Sequence, residues 1–265
     1  MNTTPRKGYA DAPTGQVHYA ECGTGFPVLL LHQTPRSWRE FVDVLPLLGQ
    51  HVRAIAVDTP GFGESTLEGP VTIERFADGI AGLIDSLGLE RLALAGHHTG
   101  GVVAVELAAR LGSQVEALVL SGTSFMTAEK RARAHERPLV DWVDPRADGG
   151  HLVDLWQRRR DFYRPGEERF LNTFVADALR VLDEVEEGHH ACRRYVMEPR
   201  LLEITAPVTV VSGRDDRFAE PSLAPMAEAF GVEFHLLDGH VPLPEQNPEG
   251  FARAVLDALE RATAG

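Results

Sequence analysis

The decamer Leu92-Ala93-Leu94-Ala95-Gly96-His97-His98-Thr99-Gly100-Gly101 sets the architecture around it. An apolar run, Leu92 to Ala95, leads into a glycine-flanked turn, and a small, apolar helical pattern follows from Val102 to Leu111. Strand, tight turn and helix in that order make a nucleophile elbow, which holds its central residue in a strained conformation above the sheet. Only very small residues fit two positions before and two after that centre, and Gly96 and Gly100 stand there. The apex side chain is presented at the positive end of the following helix. Serine is the usual apex residue; here it is His98.

Working outward, Gln16 to Glu21 alternates weakly and is expected to be an edge strand, and Pro27-Val28-Leu29-Leu30-Leu31 a strand buried on both faces. A helical pattern through Trp38, Phe41, Val42 and Leu45 separates it from the next buried strand, Val52 to Val57. Ile73, Phe76, Ala77, Ile80, Leu83, Ile84 and Leu87 recur at helical spacing, with Thr72 as N-cap and Gly88 as the stop. Beyond the elbow, Val115 to Leu120, Pro207 to Val211 and Val232 to Leu237 read as strands. A closing helix starts with Asn247 as N-cap and Pro248 in its first position. Strands alternating with helices imply a mostly parallel sheet with right-handed crossovers and helices on both faces. Ligands bind such sheets beyond the carboxyl ends of the strands.

From about Ser124 to Leu202 no buried-strand run occurs. Charged helical stretches replace it, with eight aromatics that include Trp142, Trp156, Phe162, Tyr163 and Phe174. This segment is expected to be a helical cap, residues 124–202, inserted in a core made of residues 1–123 and 203–265.

At 265 residues and 43% hydrophobic, the chain can bury a substantial core. A formal net charge of -13 argues against nucleic acid and anionic membrane surfaces as partners. Two cysteines, Cys22 and Cys192, make no disulfide framework and fit a reducing compartment. Met1 to Pro13 has no signal-type apolar run, and no stretch approaches the ~20 apolar residues of a membrane span. The expectation is a cytoplasmic protein acting on a small molecule, with oligomeric state open and a homodimer among the options.

Five stretches carry a resemblance: Val28-Leu29-Leu30-Leu31-His32, Asp58-Thr59-Pro60-Gly61-Phe62-Gly63-Glu64-Ser65, Gly96 to Gly101, Gly213 to Asp216, and Asp238-Gly239-His240. In this order and between these elements they resemble the α/β-hydrolase superfamily over nearly the whole chain except the cap. The resemblance implies the α/β-hydrolase fold and a site in the chain order nucleophile, acid, histidine, here His98, Asp216 and His240. Asp215 competes with Asp216, since both stand in one loop. The resemblance further implies an oxyanion hole from the Thr99 N–H and one from the loop after the first buried strand, with Thr34 as the second donor. Where that loop usually reads His-Gly it reads His32-Gln33, and the Gln33 amide is a further donor candidate. His97 and His32 are expected to be packed structural residues, and His151, His189 and His190 to lie at the cap surface, with substrate contact as their alternative.

A neutral imidazole is already nucleophilic at pH 7, so His98 needs no base to attack an ester or thioester. The acyl-imidazole formed would be cleaved by water that His240 activates. Alternatively His98 and His240 flank the substrate as an acid–base pair suited to a lyase or isomerase. A metal site on His98, His240 and Asp216 and a ligand-binding pseudoenzyme are the remaining alternatives. By resemblance, hydrolysis of a small ester, thioester or lactone comes first, with no cofactor and no metal. The cap aromatics, Trp142 and Trp156 among them, point to an apolar or aromatic substrate or else form the cap's own core. Arg158-Arg159-Arg160 could meet a substrate carboxylate but are expected on a solvated helix face, since at most one of three adjacent helical residues points at a site. Arg36 is the better candidate, with a surface helix start as its alternative.

Overall fold

The computed structural model describes residues 4–134 and 138–264. Met1–Thr3 at the head of the Met1–Pro13 stretch, residues 135–137 of the expected cap, and Gly265 lie outside the described residues. The strands are β1 (Arg6–Ala12), β2 (Gly15–Cys22), β3 (Pro27–Leu31), β4 (Arg53–Val57), β5 (Leu92–His97), β6 (Val115–Ser121), β7 (Val208–Gly213) and β8 (Phe234–Leu237). They form one eight-stranded sheet in the order β1-β2-β4-β3-β5-β6-β7-β8. Pairings from β4 through β8 are parallel, and β2 joins β1 and β4 antiparallel. Among these strands and on both faces lie α1 (Val44–Leu48), α2 (Ile73–Ser86) and α3 (Thr99–Leu111). Between β6 and β7 the chain runs through α4 (Ala128–Ala132), α5 (Gly150–Arg160), α6 (Glu168–Arg180), α7 (Glu187–Arg194) and α8 (Glu198–Leu201). Then follow α9 (Glu220–Phe230), α10 (Leu243–Gln246) and α11 (Pro248–Ala264).

Side chains on a strand alternate between faces, and β3 shows how that builds two cores. Leu29 and Leu31 join one buried cluster with Phe76 and Ile80 of α2 and Val102 and Val103 of α3. Val28 and Leu30 face the opposite cluster, with Leu45 and Leu48 of α1 and Phe251 and Val255 of α11. A third cluster, around Val143, Leu155, Leu171, Phe174 and Val185, belongs to the helical segment between β6 and β7. The expected caps form: the Thr72 hydroxyl accepts from the Arg75 N–H at 3.1 Å and the Asn247 side chain from the Gly250 N–H at 2.9 Å.

One strand was misplaced by sequence reasoning. Gln16–Glu21 is not at the edge, because β1 pairs outside it along seven residues. Most side chains of β1 are exposed, so the segment lacks the apolar run that marks a buried strand.

The elbow is tight enough to dictate residue types. A Cβ on Gly100 would lie 2.0 Å from the Leu31 carbonyl oxygen, and one on Gly96 would lie 2.3 Å from the Gly100 carbonyl oxygen. Both obstacles are backbone, which cannot rotate aside. Gly100→Ala is therefore expected to destabilise the protein by about 3 kcal/mol, the upper range for overpacking a close-packed interior. A urea midpoint unchanged from wild type would contradict this account of the turn.

Candidate active site

The loops after β3, β5, β6, β7 and β8 meet at the carboxyl edge of the sheet, where a parallel α/β sheet places its ligands. His98 is at the apex of the β5–α3 turn with φ 47 and ψ -112, the one non-glycine residue with positive φ among the described residues. Such a backbone costs on the order of 1–3 kcal/mol and persists where the surroundings enforce it. Here the His98 N–H donates to the Ser121 carbonyl at 2.8 Å, and the His98 carbonyl accepts from Gly101 at 3.0 Å.

From the apex the imidazole reaches the β7 loop directly. His98 Nε2 lies 2.8 Å from Asp216 Oδ2, while Asp216 Oδ1 accepts from the Phe218 and Ala219 N–H groups, each at 3.1 Å. Burial opposes charge on Asp216, but the His98 charge, the His98 hydrogen bond and the loop N–H bonds outweigh it and hold the carboxyl below the usual range. An ionised carboxylate only accepts, so Nε2 carries a proton, and in the neutral ring the lone pair is on Nδ1. Gly122 makes the approach possible, since a Cβ there would lie 2.8 Å from His98 Nε2 and 3.0 Å from Asp216 Oδ2.

This differs from the expected arrangement, in which Asp216 orients His240. The His240 ring is 3.8 Å from Asp215 Oδ2, an ion-pair contact beyond hydrogen-bond length, and both side chains are open to solvent. His240 is not among the side chains lining the site cavity; its neighbour Val241 is. The apex imidazole takes the place at Asp216 Oδ2, and Oδ1 is turned to two loop N–H groups. The expected His240–Asp216 contact is thus not made: the apex imidazole holds Asp216, and His240 faces Asp215. Among the described residues no group of three or more His, Cys, Asp or Glu is placed to hold a metal ion.

His97 packs edge-on against His98, ring centroids 4.6 Å apart. Its Nε2 donates to the Val241 carbonyl at 2.7 Å and its Nδ1 faces the Ser121 hydroxyl at 3.0 Å. Burial first, and the neighbouring His98 second, push it down to about 3, so it stays neutral. His32 likewise bridges backbone, donating to the Gln33 carbonyl and accepting from the Thr59 N–H.

Gln33, Thr34 and Thr99 all line the cavity. The Thr34 N–H points at the Thr99 hydroxyl across 3.4 Å, and the Thr99 N–H belongs to the unpaired first turn of α3. The Gln33 amide is turned away, because its Nε2 and its backbone N–H both donate to the buried carboxylate of Glu40. Arg36 is not available to a substrate. It is fully buried, bidentate to Glu245 at 2.6 and 2.9 Å, and its Nε donates to Asp177 at 3.2 Å. Trp142 and Trp156 pack on the third cluster and do not line the cavity, which leaves them as part of the helical segment's own core.

The cavity encloses about 150 Å³, comparable to one that accepts a benzene molecule. Opposite the elbow it is lined from the helical segment by Val140, Arg159, His189, Cys192 and Arg193. Sequence reasoning had put His189 at the surface. Of the three consecutive arginines only Arg159 is buried, as helical spacing requires of a single inward residue. Burial raises the Cys192 thiol to about 12, against a hydrogen bond to Thr99, so it stays protonated.

A sequence model described as the alpha/beta hydrolase family matches residues 25–254. A 2-hydroxy-6-oxo-2,4-heptadienoate hydrolase of Pseudomonas putida is 28% identical over 262 residues, covering 90% of this chain and 91% of that protein. Among solved structures, a membrane phospholipase A superposes with TM-score 0.81 at 20% identity over 99% of this chain and 88% of its own. The enol-lactonase of Burkholderia xenovorans LB400 does so with TM-score 0.76 at 21% identity over 96% of this chain and 100% of its own. At these identities the structures share the fold.

Burial raises Glu40 to about 7, with Arg36 pulling the other way and Glu245 adding to the rise. The unfolded chain ionises this group near pH 4.3. Between there and pH 7 the native state holds the extra proton, so stability falls as pH rises through that window and levels off above it. Glu40→Gln should flatten that part of the urea-midpoint profile. An unaltered slope would show that Glu40 is not the group responsible.

Proposed function

This chain belongs to the alpha/beta hydrolase family, and from that premise we propose that it hydrolyses a small ester, thioester or lactone with the His98–Asp216 pair as its general base. Its named relatives are hydrolases. The observation that carries the reading is the 2.8 Å contact between His98 Nε2 and a buried, ionised Asp216. A carboxylate on one imidazole nitrogen fixes the tautomer and stabilises the imidazolium that forms when the other nitrogen takes a proton. His98 Nδ1 accepts a proton from water as that water's oxygen attacks the substrate carbonyl. The negative charge passes to the carbonyl oxygen, where the N–H groups of Thr99 and Thr34 are the donors we assign. Collapse breaks the bond to the leaving alkoxide or thiolate, which takes the proton back from the imidazolium. The helical segment between β6 and β7 acts as the cap of this site.

The apex position of His98 favours a second reading, direct attack by Nδ1 and a transient acyl-imidazole. Both use one lone pair, and a trapped intermediate separates them. On a panel of nitrophenyl esters, a thioester and a lactone, His98→Ala should lose ~10²–10⁴-fold in kcat/KM, the usual contribution of a positioned acid–base group. His98→Ser should not recover activity, because no imidazole then bonds Asp216 and His240 is not at the cavity. Rapid quenching followed by mass spectrometry of the apex peptide should find it unmodified, and an acyl adduct would move the assignment to the covalent route. Full activity in His98→Ala would overturn both.

A further inference from the structure

Asp141 stands behind the cavity wall opposite the elbow. It is fully buried and bidentate to Arg159, through Nε at 2.6 Å and one terminal nitrogen, and His189 Nε2 lies 3.0 Å from it. Burial works against its charge, but Arg159 and His189 outweigh burial and hold it at about 2. The Arg159 guanidinium is also fixed on its flat faces, 4.9 Å from the Phe174 ring centroid and 5.6 Å from that of Phe162. Its remaining terminal nitrogen donates to no protein group among the described residues, although Arg159 is buried and lines the cavity. That nitrogen keeps donor capacity for a group in the cavity, and Asp141 and the two rings hold its guanidinium in place.

The cavity's charge pattern agrees. In a chain of net charge -13, no aspartate or glutamate side chain lines this cavity among the described residues, whereas Arg159, Arg193, His98 and His189 do. Asp141 works from behind the wall: it takes Nε and one terminal nitrogen of Arg159 and faces His189 Nε2, so the other Arg159 terminal nitrogen and His189 Nδ1 make no bond to it.

We propose that Arg159, with His189 beside it as a second donor in its protonated form, makes a recognition site for a carboxylate, so that the substrate is a small carboxylate-bearing molecule held between this wall and His98. The substrate part rests on the reading of His98 as the reacting group; the recognition site does not. A guanidinium suits carboxylate geometrically as well as by charge, and the cavity's size admits a single ring.

The probes are benzoate and its neutral isostere benzamide, titrated into the full-length protein by calorimetry. Benzoate should bind about 10-fold tighter or more, the scale of one charge-assisted hydrogen bond in a buried site. Replacing Arg159 alone would strand Asp141 as an uncompensated buried charge, so the variant is the pair Asp141→Asn with Arg159→Met, alongside His189→Gln. The pair should erase the preference for benzoate and leave benzamide binding as it was; His189→Gln should reduce the preference. Equal wild-type affinities, or no saturable binding of either probe, overturn the proposal without recourse to any variant, as does a preference that survives in the folded double variant. His98→Ala should keep the benzoate preference. If it does while activity proves independent of His98, the recognition site stands and only the hydrolytic assignment falls.

Discussion

Asp216 turns one oxygen to its own loop and the other to the apex, and that second contact sets the geometry of this site. The first oxygen is occupied by two backbone N–H groups that close the loop after β7. The second meets the apex imidazole. An imidazole extends farther from its backbone than a hydroxymethyl group, so a histidine at the elbow spans the distance to the acid unaided. Once it does, nothing holds His240 against Asp216, and that ring turns to the exposed Asp215. In the function we propose, histidine at the apex thus gathers into two residues, His98 and Asp216, what the family pattern spreads over three.

That contact is held by backbone rather than by side-chain packing. The apex residue is strained, and it stays strained because β5 and α3 are pinned on either side by glycines touching the main chain of β3 and of the turn itself. Gly122 then clears the line between the imidazole and the carboxylate. Geometry fixed in this way needs no reorganisation when charge develops, which is the condition under which a buried imidazole–carboxylate pair is most effective.

The fold was legible because its signals are local. Continuous apolar runs, helical spacing and capping residues each act within a few residues, and together they define a parallel sheet whatever the solvent-facing residues are. β1 escaped because an edge strand with one wet side needs no apolar run. The site was legible in part. Gly96, His98 and Gly100 are dictated by one turn, and Asp216 by a loop position. Partner choice is a long-range matter: nothing near Arg36 in sequence announces Asp177 or Glu245, and nothing near His189 announces Asp141. Arg159 shows the boundary well. Helical geometry requires that at most one of three adjacent arginines face inward, yet which one depends on Phe162, Phe174 and Asp141, all brought there by the tertiary fold.

The buried ion network around Arg36 ties the helical segment to the reaction edge. Arg36 and Ser37, in the loop after β3, bind Asp177 of α6, and Arg36 also binds Glu245 of α10, which Tyr163 approaches at 3.3 Å. Three carboxylates, Glu40 included, surround one guanidinium; burial pushes Glu40 up to about 7, and Arg36, 3.9 Å from it but 2.6 Å from Glu245, pulls the other way. Glu40 in turn receives both donors of Gln33, the residue adjoining Thr34. Gln33 is therefore a side chain that anchors the loop after β3 to the network holding the helical segment in place. Removing the charge imbalance at Arg36 would slacken the loop and the segment together, because one buried guanidinium is bonded to both.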